Sequence, residues 1–144
     1  MPGSGPTGKR KSALEKRKSA PPSDERKVLI AEDHPINREL LREMVTSLGY
    51  QVIEAGDGEE TLRKIQETTP DLAIIDLQMP KIDGLEVIRQ LREQPEYADF
   101  PVIALTAYAM RGDRERMLDA GFTAYLAKPV RLEALKAELK RLLG

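Results

Sequence analysis

The chain has 144 residues, of which 40% are hydrophobic and 33% are charged, so it suits one compact domain with a well-solvated surface. The lack of cysteine excludes disulfides, thiolate metal sites and a thiol nucleophile, and the single histidine, His34, excludes a multi-histidine metal centre. No apolar run approaches the roughly 20 residues of a membrane span, and no apolar segment typical of a secretory signal follows the basic N-terminus, so we expect a cytoplasmic protein.

The formal net charge of −1 is unevenly distributed along the chain. Residues 1–27 contain two clusters of lysine and arginine, several prolines and glycines, and few large apolar side chains. Such a segment cannot bury enough surface to offset the entropy cost of ordering, so we predict a disordered basic tail over residues 1–24 and a folded domain over residues 25–144. We interpret the tail as a solvated linker, and docking on an acidic partner, nucleic acid or a membrane is the alternative.

Short apolar runs alternate with segments of helical periodicity after residue 27. In chain order, we predict a strand over 28–31, a helix over 36–48, a strand over 51–55 and a helix over about 58–68. Strands over 72–75, 102–105 and 124–127 follow, and they are trailed by helices over 85–93, about 112–120 and 132–143 respectively. Most of these strands are apolar on both faces, which is typical of a parallel sheet covered by helices on each side, so the pattern predicts a doubly wound α/β domain.

Polar and charged residues stand where the predicted strands end. Glu32 and Asp33 follow the first strand, Asp76 follows the third, Thr106 the fourth and Lys128 the fifth. Because ligands of open parallel sheets bind at the carboxyl ends of the strands, we expect these side chains to form one site. Three close carboxylates repel one another, and Mg²⁺ is a suitable counter-ion because it binds carboxylate oxygens and keeps exchangeable waters.

This set of residues suits phosphoryl transfer. An ammonium and a hydroxyl can bind the oxygens of a transferring phosphoryl group, and an aspartate can attack phosphorus to form an acyl phosphate. Taken singly, each residue has an ordinary interpretation: Asp33 as a helix N-cap, Thr106 as a turn residue and Lys128 as a surface charge. The prediction therefore depends on their appearing at successive strand ends of one short domain.

The sequence resembles the receiver domains of two-component response regulators over residues 27–143. The resemblance rests on the order and spacing of motifs at 29–33, 71–80, 83–84, 101–107 and 125–129. Asn37 and the segment around Gly112 are most similar to receivers of hybrid sensor kinases and to stand-alone cell-cycle receivers. The resemblance implies a flavodoxin-like (βα)5 fold with strand order 2-1-3-4-5.

The resemblance also implies a phosphorelay role for the chain. Asp76 is then the phosphoacceptor, which takes a phosphoryl group from a phosphohistidine of a sensor histidine kinase or a histidine phosphotransfer protein. Glu32, Asp33, Asp76 and the backbone carbonyl of Gln78 are the implied Mg²⁺ ligands. Thr106 and Lys128 are the implied partners of the phosphoryl oxygens.

A conformational switch is implied as well. The Lys128–Pro129 peptide bond is expected to be cis, and Tyr125 matches the aromatic residue that turns inward when Thr106 moves toward the phosphate. Phosphorylation is expected to change the face formed by the fourth helix, fifth strand and fifth helix, about residues 112–143, and so to change binding of a downstream protein target. We expect a switch with at most slow self-dephosphorylation rather than an enzyme, with Gln78 and Tyr108 at the positions that tune this rate.

Other functions are compatible with parts of the pattern. The chain is expected to be a stand-alone receiver with no DNA-binding domain, and a receiver excised from a hybrid sensor histidine kinase is the alternative. A pseudo-receiver interaction module would keep the fold without phosphorylation. A phosphatase with an aspartyl-phosphate intermediate would need a second acid where this chain has Gln78, and a dinucleotide-binding domain would need a glycine-rich turn after the first strand.

Overall fold

The computed structural model of the protein describes residues 26–107 and 112–144. The predicted tail, residues 1–24, and Tyr108 lie outside these described residues, so both remain predictions. The described part forms one five-stranded sheet. Its strands are β1 (Lys27–Ala31), β2 (Gln51–Ala55), β3 (Leu72–Asp76), β4 (Val102–Thr106) and β5 (Ala124–Ala127).

All paired strands of the sheet are parallel, and their lateral order is β2-β1-β3-β4-β5. The doubly wound α/β fold and the strand order expected from the resemblance are therefore confirmed. β1 lies between β2 and β3, so the chain first winds to one side of β1 and then returns to the other. This reversal of strand order opens a crevice between the carboxyl ends of β1 and β3, where ligands of such sheets bind.

Within the described residues, five α-helices cover the two faces of the sheet. They are α1 (Pro35–Ser47), α2 (Gly58–Thr68), α3 (Gly84–Glu93), α4 (Asp113–Ala120) and α5 (Leu132–Leu143). One apolar cluster joins the sheet to α1 and α5 through residues such as Val45 and Leu139. A second joins the opposite face to α2, α3 and α4 through residues such as Ile65, Leu91 and Met117. Successive side chains of β1, β3 and β4 pack alternately into one cluster and the other, which explains why these strands are apolar on both faces.

Local sequence explains where α1 and α2 begin. Proline occupies the first turn of α1, where its missing N–H costs nothing. Asp57 caps α2 by accepting a hydrogen bond from the Glu60 N–H at 2.8 Å, while Glu60 Oε1 accepts one from the Gly56 N–H at 2.6 Å. A short 3₁₀ turn over Pro95–Tyr97 before β4 has no counterpart among the predicted elements. None of the helices in the described part of the chain has the length and apolarity that crossing a bilayer requires.

The first residue of α2 packs against the loop that follows β3. A Cβ atom on Gly58 would lie 2.0 Å from the backbone carbonyl oxygen of Ile82 and 2.7 Å from the Ile82 Cβ. Distances this short require the loop or the helix to move, so only glycine fits this position without rearrangement. The contact matters for the site because the loop leads from Asp76 to α3.

Gly58→Ala is therefore expected to destabilise the domain by about 3 kcal/mol, because the added methyl group overlaps a backbone carbonyl that cannot simply rotate away. The loss should appear in the free energy of unfolding from urea titration. Gly56→Ala is the matched control, since a Cβ there meets its nearest neighbours at 3.4 and 3.6 Å. Equal stability of the two variants would show that the loop yields without cost.

Candidate functional site

The polar residues predicted at the strand ends come together at the carboxyl edge of the sheet. Glu32 directly follows β1, Asp76 is the last residue of β3, Thr106 is the last residue of β4, and Lys128 directly follows β5. The Lys128 N–H donates a hydrogen bond to the Thr106 carbonyl oxygen at 2.8 Å, which extends the pairing of β4 and β5 by one residue. Parallel pairing thus delivers residues from four strands to one crevice.

Asp76 lies at the centre of this crevice and is only 2% exposed. Its Oδ2 accepts a hydrogen bond from Lys128 Nζ at 2.6 Å, and its Oδ1 accepts one from the Gln78 backbone N–H at 3.0 Å. Each carboxylate oxygen therefore has a donor of its own. The arrangement holds the carboxylate in one orientation, with a cation beside it.

Lys128 also reaches the second buried acid. Its Nζ donates to Glu32 Oε1 at 3.0 Å, while Glu32 Oε2 accepts a hydrogen bond from the His34 backbone N–H at 3.2 Å. Lys128, whose side chain is 22% exposed, thus bridges two carboxylates that are almost fully buried. The sequence assigned this lysine to phosphoryl oxygens, and it did not predict the bridge to Glu32.

Burial and charge act in opposite directions on these groups. Burial raises the pKa of Glu32 above its ordinary value, and the charge of Asp76 adds to the rise, while hydrogen bonds from Lys128 and the His34 amide offset only part of it. Burial lowers the pKa of Lys128, but its hydrogen bonds to Asp76 and Glu32 outweigh this, so the Lys128 pKa lies above its ordinary value. Lys128 therefore stays charged at neutral pH and acts as the cation of the site.

Glu32, Asp33 and Asp76 form an acidic cluster that could hold a metal ion. Each offers a carboxylate oxygen, and the three oxygens lie within 4.8 Å of one another. Two of the carboxylates are buried and the Asp33 carboxylate is exposed, so a bound ion would face protein oxygens on one side and water on the other. An all-oxygen, partly open donor set of this kind fits Mg²⁺, which retains part of its hydration.

Thr106 and Tyr125 lie on the α4 side of Asp76. Both line a cavity of about 440 Å³, together with Asp113 and Met117 of α4. The Tyr125 hydroxyl is buried, and among the residues described it is the one buried side-chain polar atom that lacks a hydrogen-bond partner. On the other side of the site, the Lys128–Pro129 peptide bond is cis, the geometry that the resemblance implies.

Several contacts around the site are invisible in the sequence. The backbone N–H groups of His34 and Gln78 donate hydrogen bonds to the buried carboxylates, and the sequence did not predict these bonds. Gly84 brings α3 against the end of β3, because a Cβ there would lie 2.9 Å from the Asp76 carbonyl oxygen. Lys81 Nζ lies 3.5 Å from Asp57 Oδ2 and so ties the loop after β3 to α2. Such contacts depend on backbone paths that residue types alone do not reveal.

Comparison with known proteins agrees with this architecture. The model of the family described as "Response regulator receiver domain" matches residues 28–140, which include nearly all residues of the strands and helices described above. The chain therefore belongs to the response regulator receiver domains of two-component systems. Members of this family act as phosphoacceptor switches and work with a histidine kinase or a phosphotransfer partner.

Individual relatives match over nearly all of their own length. The chain is 39% identical over 117 residues to the polar-differentiation response regulator DivK of Brucella anthropi, a match that covers 81% of this chain and 95% of that protein. It also resembles the receiver domain of a sensor histidine kinase of Pseudomonas aeruginosa PAO1, which was solved with a magnesium ion coordinated in its active-site cleft. The TM-score is 0.76 and the identity 38%, and the match covers 83% of this chain and 98% of that one. A receiver domain of a histidine kinase from Syntrophus aciditrophicus gives a TM-score of 0.75, 36% identity, and coverage of 83% and 90%.

Proposed function

We propose that the protein is a phosphorylation-controlled signalling switch whose phosphoacceptor is Asp76. The phosphoryl group comes from a phosphohistidine of a sensor histidine kinase or a histidine phosphotransfer protein, in a reaction that depends on Mg²⁺. Phosphorylation changes how the face formed by α4, β5 and α5 binds a downstream protein target. We propose at most slow self-dephosphorylation.

One observation carries this proposal. Asp76 is a buried carboxylate that is hydrogen-bonded to Lys128 at 2.6 Å and lies in an acidic cluster at the reversal of strand order. A purely structural ion pair would need neither the exposed Asp33 nor the second acid, Glu32. The combination of a nucleophilic carboxylate, a fixed ammonium and an oxygen-rich metal site is what phosphoryl transfer to aspartate requires.

In the transfer, a carboxylate oxygen of Asp76 attacks phosphorus, an O–P bond forms, and the P–N bond to the donor imidazole breaks. The displaced imidazole nitrogen keeps the electron pair of that bond. One proton taken from water then leaves the donor histidine in its neutral form. Lys128 is placed to shift its hydrogen bond from Asp76 Oδ2 to a phosphoryl oxygen as negative charge moves there. The Gln78 amide keeps the second carboxylate oxygen in position during the attack.

We assign the metal site to Glu32, Asp33, Asp76 and the backbone carbonyl of Gln78. When bound, Mg²⁺ supplies positive charge that offsets the repulsion between the carboxylates and the incoming phosphoryl oxygens. The protein's share is to hold Glu32 through the His34 amide and Lys128, and to leave Asp33 open to solvent, where the phosphodonor must approach. Glu32 and Asp33 are thus in place before the O–P bond forms.

We assign the switch to Thr106 and Tyr125. The cavity of about 440 Å³ that they line beside α4 supports this assignment, because it provides space into which side chains can move. A phosphoryl group on Asp76 would add contacts to Thr106 in one of two packings, and those extra contacts would favour that packing. Since α4 contributes to the wall of the cavity, the rearrangement would reach the surface that a target contacts.

The proposal is tested by incubating the protein with acetyl phosphate and measuring its intact mass. We expect the mass of one phosphoryl group to be added with Mg²⁺ and little added with EDTA. Asp33→Asn should reduce labelling and the rise in melting temperature that Mg²⁺ produces, while Asp119→Asn, on the exposed side of α4, should change neither. Labelling that is equally fast without divalent cations would contradict the metal assignment, and no labelling under any condition would instead favour the pseudo-receiver alternative.

A further inference from the structure

Arg38, in the first turns of α1, contacts the backbone of the acidic cluster. Its Nη1 donates a hydrogen bond to the Glu32 carbonyl oxygen at 2.9 Å. Its Nε donates to Glu54 Oε1 at 3.2 Å, so the guanidinium spans from α1 to β2 and to the segment that follows β1. The Arg38 side chain is 25% exposed, and this burial limits the number of positions that it can adopt.

The carbonyl that Arg38 holds belongs to the peptide group between Glu32 and Asp33. Displacement of this peptide would move the Cα atoms of both Glu32 and Asp33, because the atoms of a peptide plane from one Cα to the next move as one rigid unit. The Glu32 carboxylate has further restraints from Lys128 and the His34 amide, but the Asp33 carboxylate is exposed. The direction of Asp33 thus depends largely on how its backbone is fixed.

A second contact makes Arg38 a rigid restraint. Glu54 lies in β2 and is paired in register with Ile30 of β1, so it is anchored in the sheet beside the cluster. Its Oε2 lies 3.6 Å from Arg42 Nε, so Glu54 is held by two arginines of the same helix. The planar guanidinium of Arg38 can donate to Glu54 and to the Glu32 carbonyl at once, whereas a lysine ammonium offers no such fixed fork.

From this geometry we infer that Arg38 is a positioning residue for the metal site, which fixes the position of the Glu32–Asp33 peptide and so of the two Cα atoms from which the carboxylates extend toward a bound cation. The inference rests on the proposed magnesium site. Arg38 touches neither the cation nor the phosphoryl group in this role. It acts through the backbone, as hydrogen-bonded supports of metal ligands commonly do.

Charge and position predict opposite effects at this residue. Arg38 carries a positive charge near a cation site, so removing that charge alone should strengthen Mg²⁺ binding. Removing a restraint that orients two ligands should weaken binding, typically by about tenfold or more. The sign of the change in Mg²⁺ affinity therefore separates the effect of the lost charge from the effect of the lost restraint.

The experiment is a calorimetric titration of the full chain with Mg²⁺ alone. We expect Arg38→Met to raise the Kd for Mg²⁺ about tenfold relative to the unsubstituted protein. Arg42→Met is the matched control, since it removes an equal charge from the same helix and the same Glu54 partner without touching Glu32; its Kd should be unchanged or lower. Arg38→Lys, which keeps the charge, should lie between the unsubstituted protein and Arg38→Met.

Two results would overturn the inference: a Kd of Arg38→Met equal to or below that of the unsubstituted protein, or an equal rise in Arg42→Met. If Arg38→Met is unfolded, Arg38→Lys tests the same restraint, because it keeps the charge but loses the guanidinium that bridges Glu54 and the Glu32 carbonyl, and it should still raise the Kd. Failure of the unsubstituted protein to bind Mg²⁺ would instead contradict the proposed metal site. The two failures are therefore distinguishable.

Discussion

Asp76→Asn is expected to abolish labelling by acetyl phosphate in the presence of Mg²⁺. The amide has nearly the shape of the carboxylate, but it lacks the negatively charged oxygen that attacks phosphorus. The fold should survive, because the substitution removes a charge from a crowded acidic cluster without changing side-chain volume. Intact mass spectrometry before and after incubation measures the effect directly.

Asp83→Asn is the matched control for this result. Asp83 belongs to the same connection between β3 and α3, where it caps α3 by accepting a hydrogen bond from the Glu86 N–H at 2.9 Å. Asparagine caps helices about as well as aspartate, so labelling should be retained. Normal labelling of Asp76→Asn would place the acceptor elsewhere, and borohydride reduction of the acyl phosphate followed by peptide mapping would locate it.

Lys128→Met is expected to cost about 3 kcal/mol of folding stability at neutral pH, because it leaves two buried carboxylates without their shared cation. Glu32 and Asp76 are each 2% exposed, and Lys128 Nζ donates hydrogen bonds to both. The cost lies near the lower end for a broken buried ion pair because Lys128 is partly open to water. Urea unfolding at neutral pH measures it, with Lys136→Met, an exposed lysine of α5, as the control.

The pH dependence of this loss has a definite sign. The pKa of Glu32 is already raised by burial, and loss of the Lys128 hydrogen bond should raise it further. A carboxyl whose pKa is higher in the folded state than in the unfolded state costs stability as the pH rises through that range, and costs none at lower pH. The difference between Lys128→Met and the unsubstituted protein should therefore shrink as the solution is acidified.

Mg²⁺ offers an independent check on the Lys128 prediction. A cation bound by the acidic cluster can replace the missing ammonium, so Mg²⁺ should raise the melting temperature of Lys128→Met more than that of the unsubstituted protein. A loss of stability that is independent of both pH and Mg²⁺ would mean that Lys128 acts through packing. Its role as the cation of the site would then be wrong.

Lys128, a metal ion and a phosphoryl group would compete for the same few contacts in the site. Lys128 holds Asp76 and Glu32 in the described state, while a metal ion and a phosphoryl group would each demand some of the same contacts. A lysine ammonium on a flexible stem is suited to this exchange, because it can follow negative charge over short distances. The same contacts thus stabilise the unmodified domain and remain available to a phosphorylated one.

The sequence by itself determined the kinds of elements, their order along the chain and the residues that end each strand. Segments such as 72–75 and 102–105 are apolar on both faces, and that pattern is sufficient to predict a buried parallel sheet. The strand-end positions of Asp76 and Thr106 followed directly, since each is the first polar residue after an apolar run and so lies where the strand reaches the edge of the sheet. Strand order came from the resemblance to receivers, because periodicity reports burial and not which strands are neighbours.

Only the tertiary structure decided which partners these residues have. Lys128 is 96 residues from Glu32 in the chain, and Gly58 meets Ile82 across two different connections, so neither contact leaves a local pattern. The hydrogen bond from Arg38 to the Glu32 carbonyl depends on the angle at which α1 leaves β1, and on a glutamate of β2. Local sequence sets which side chains are buried, whereas the pairing of buried charges depends on how distant segments pack against one another.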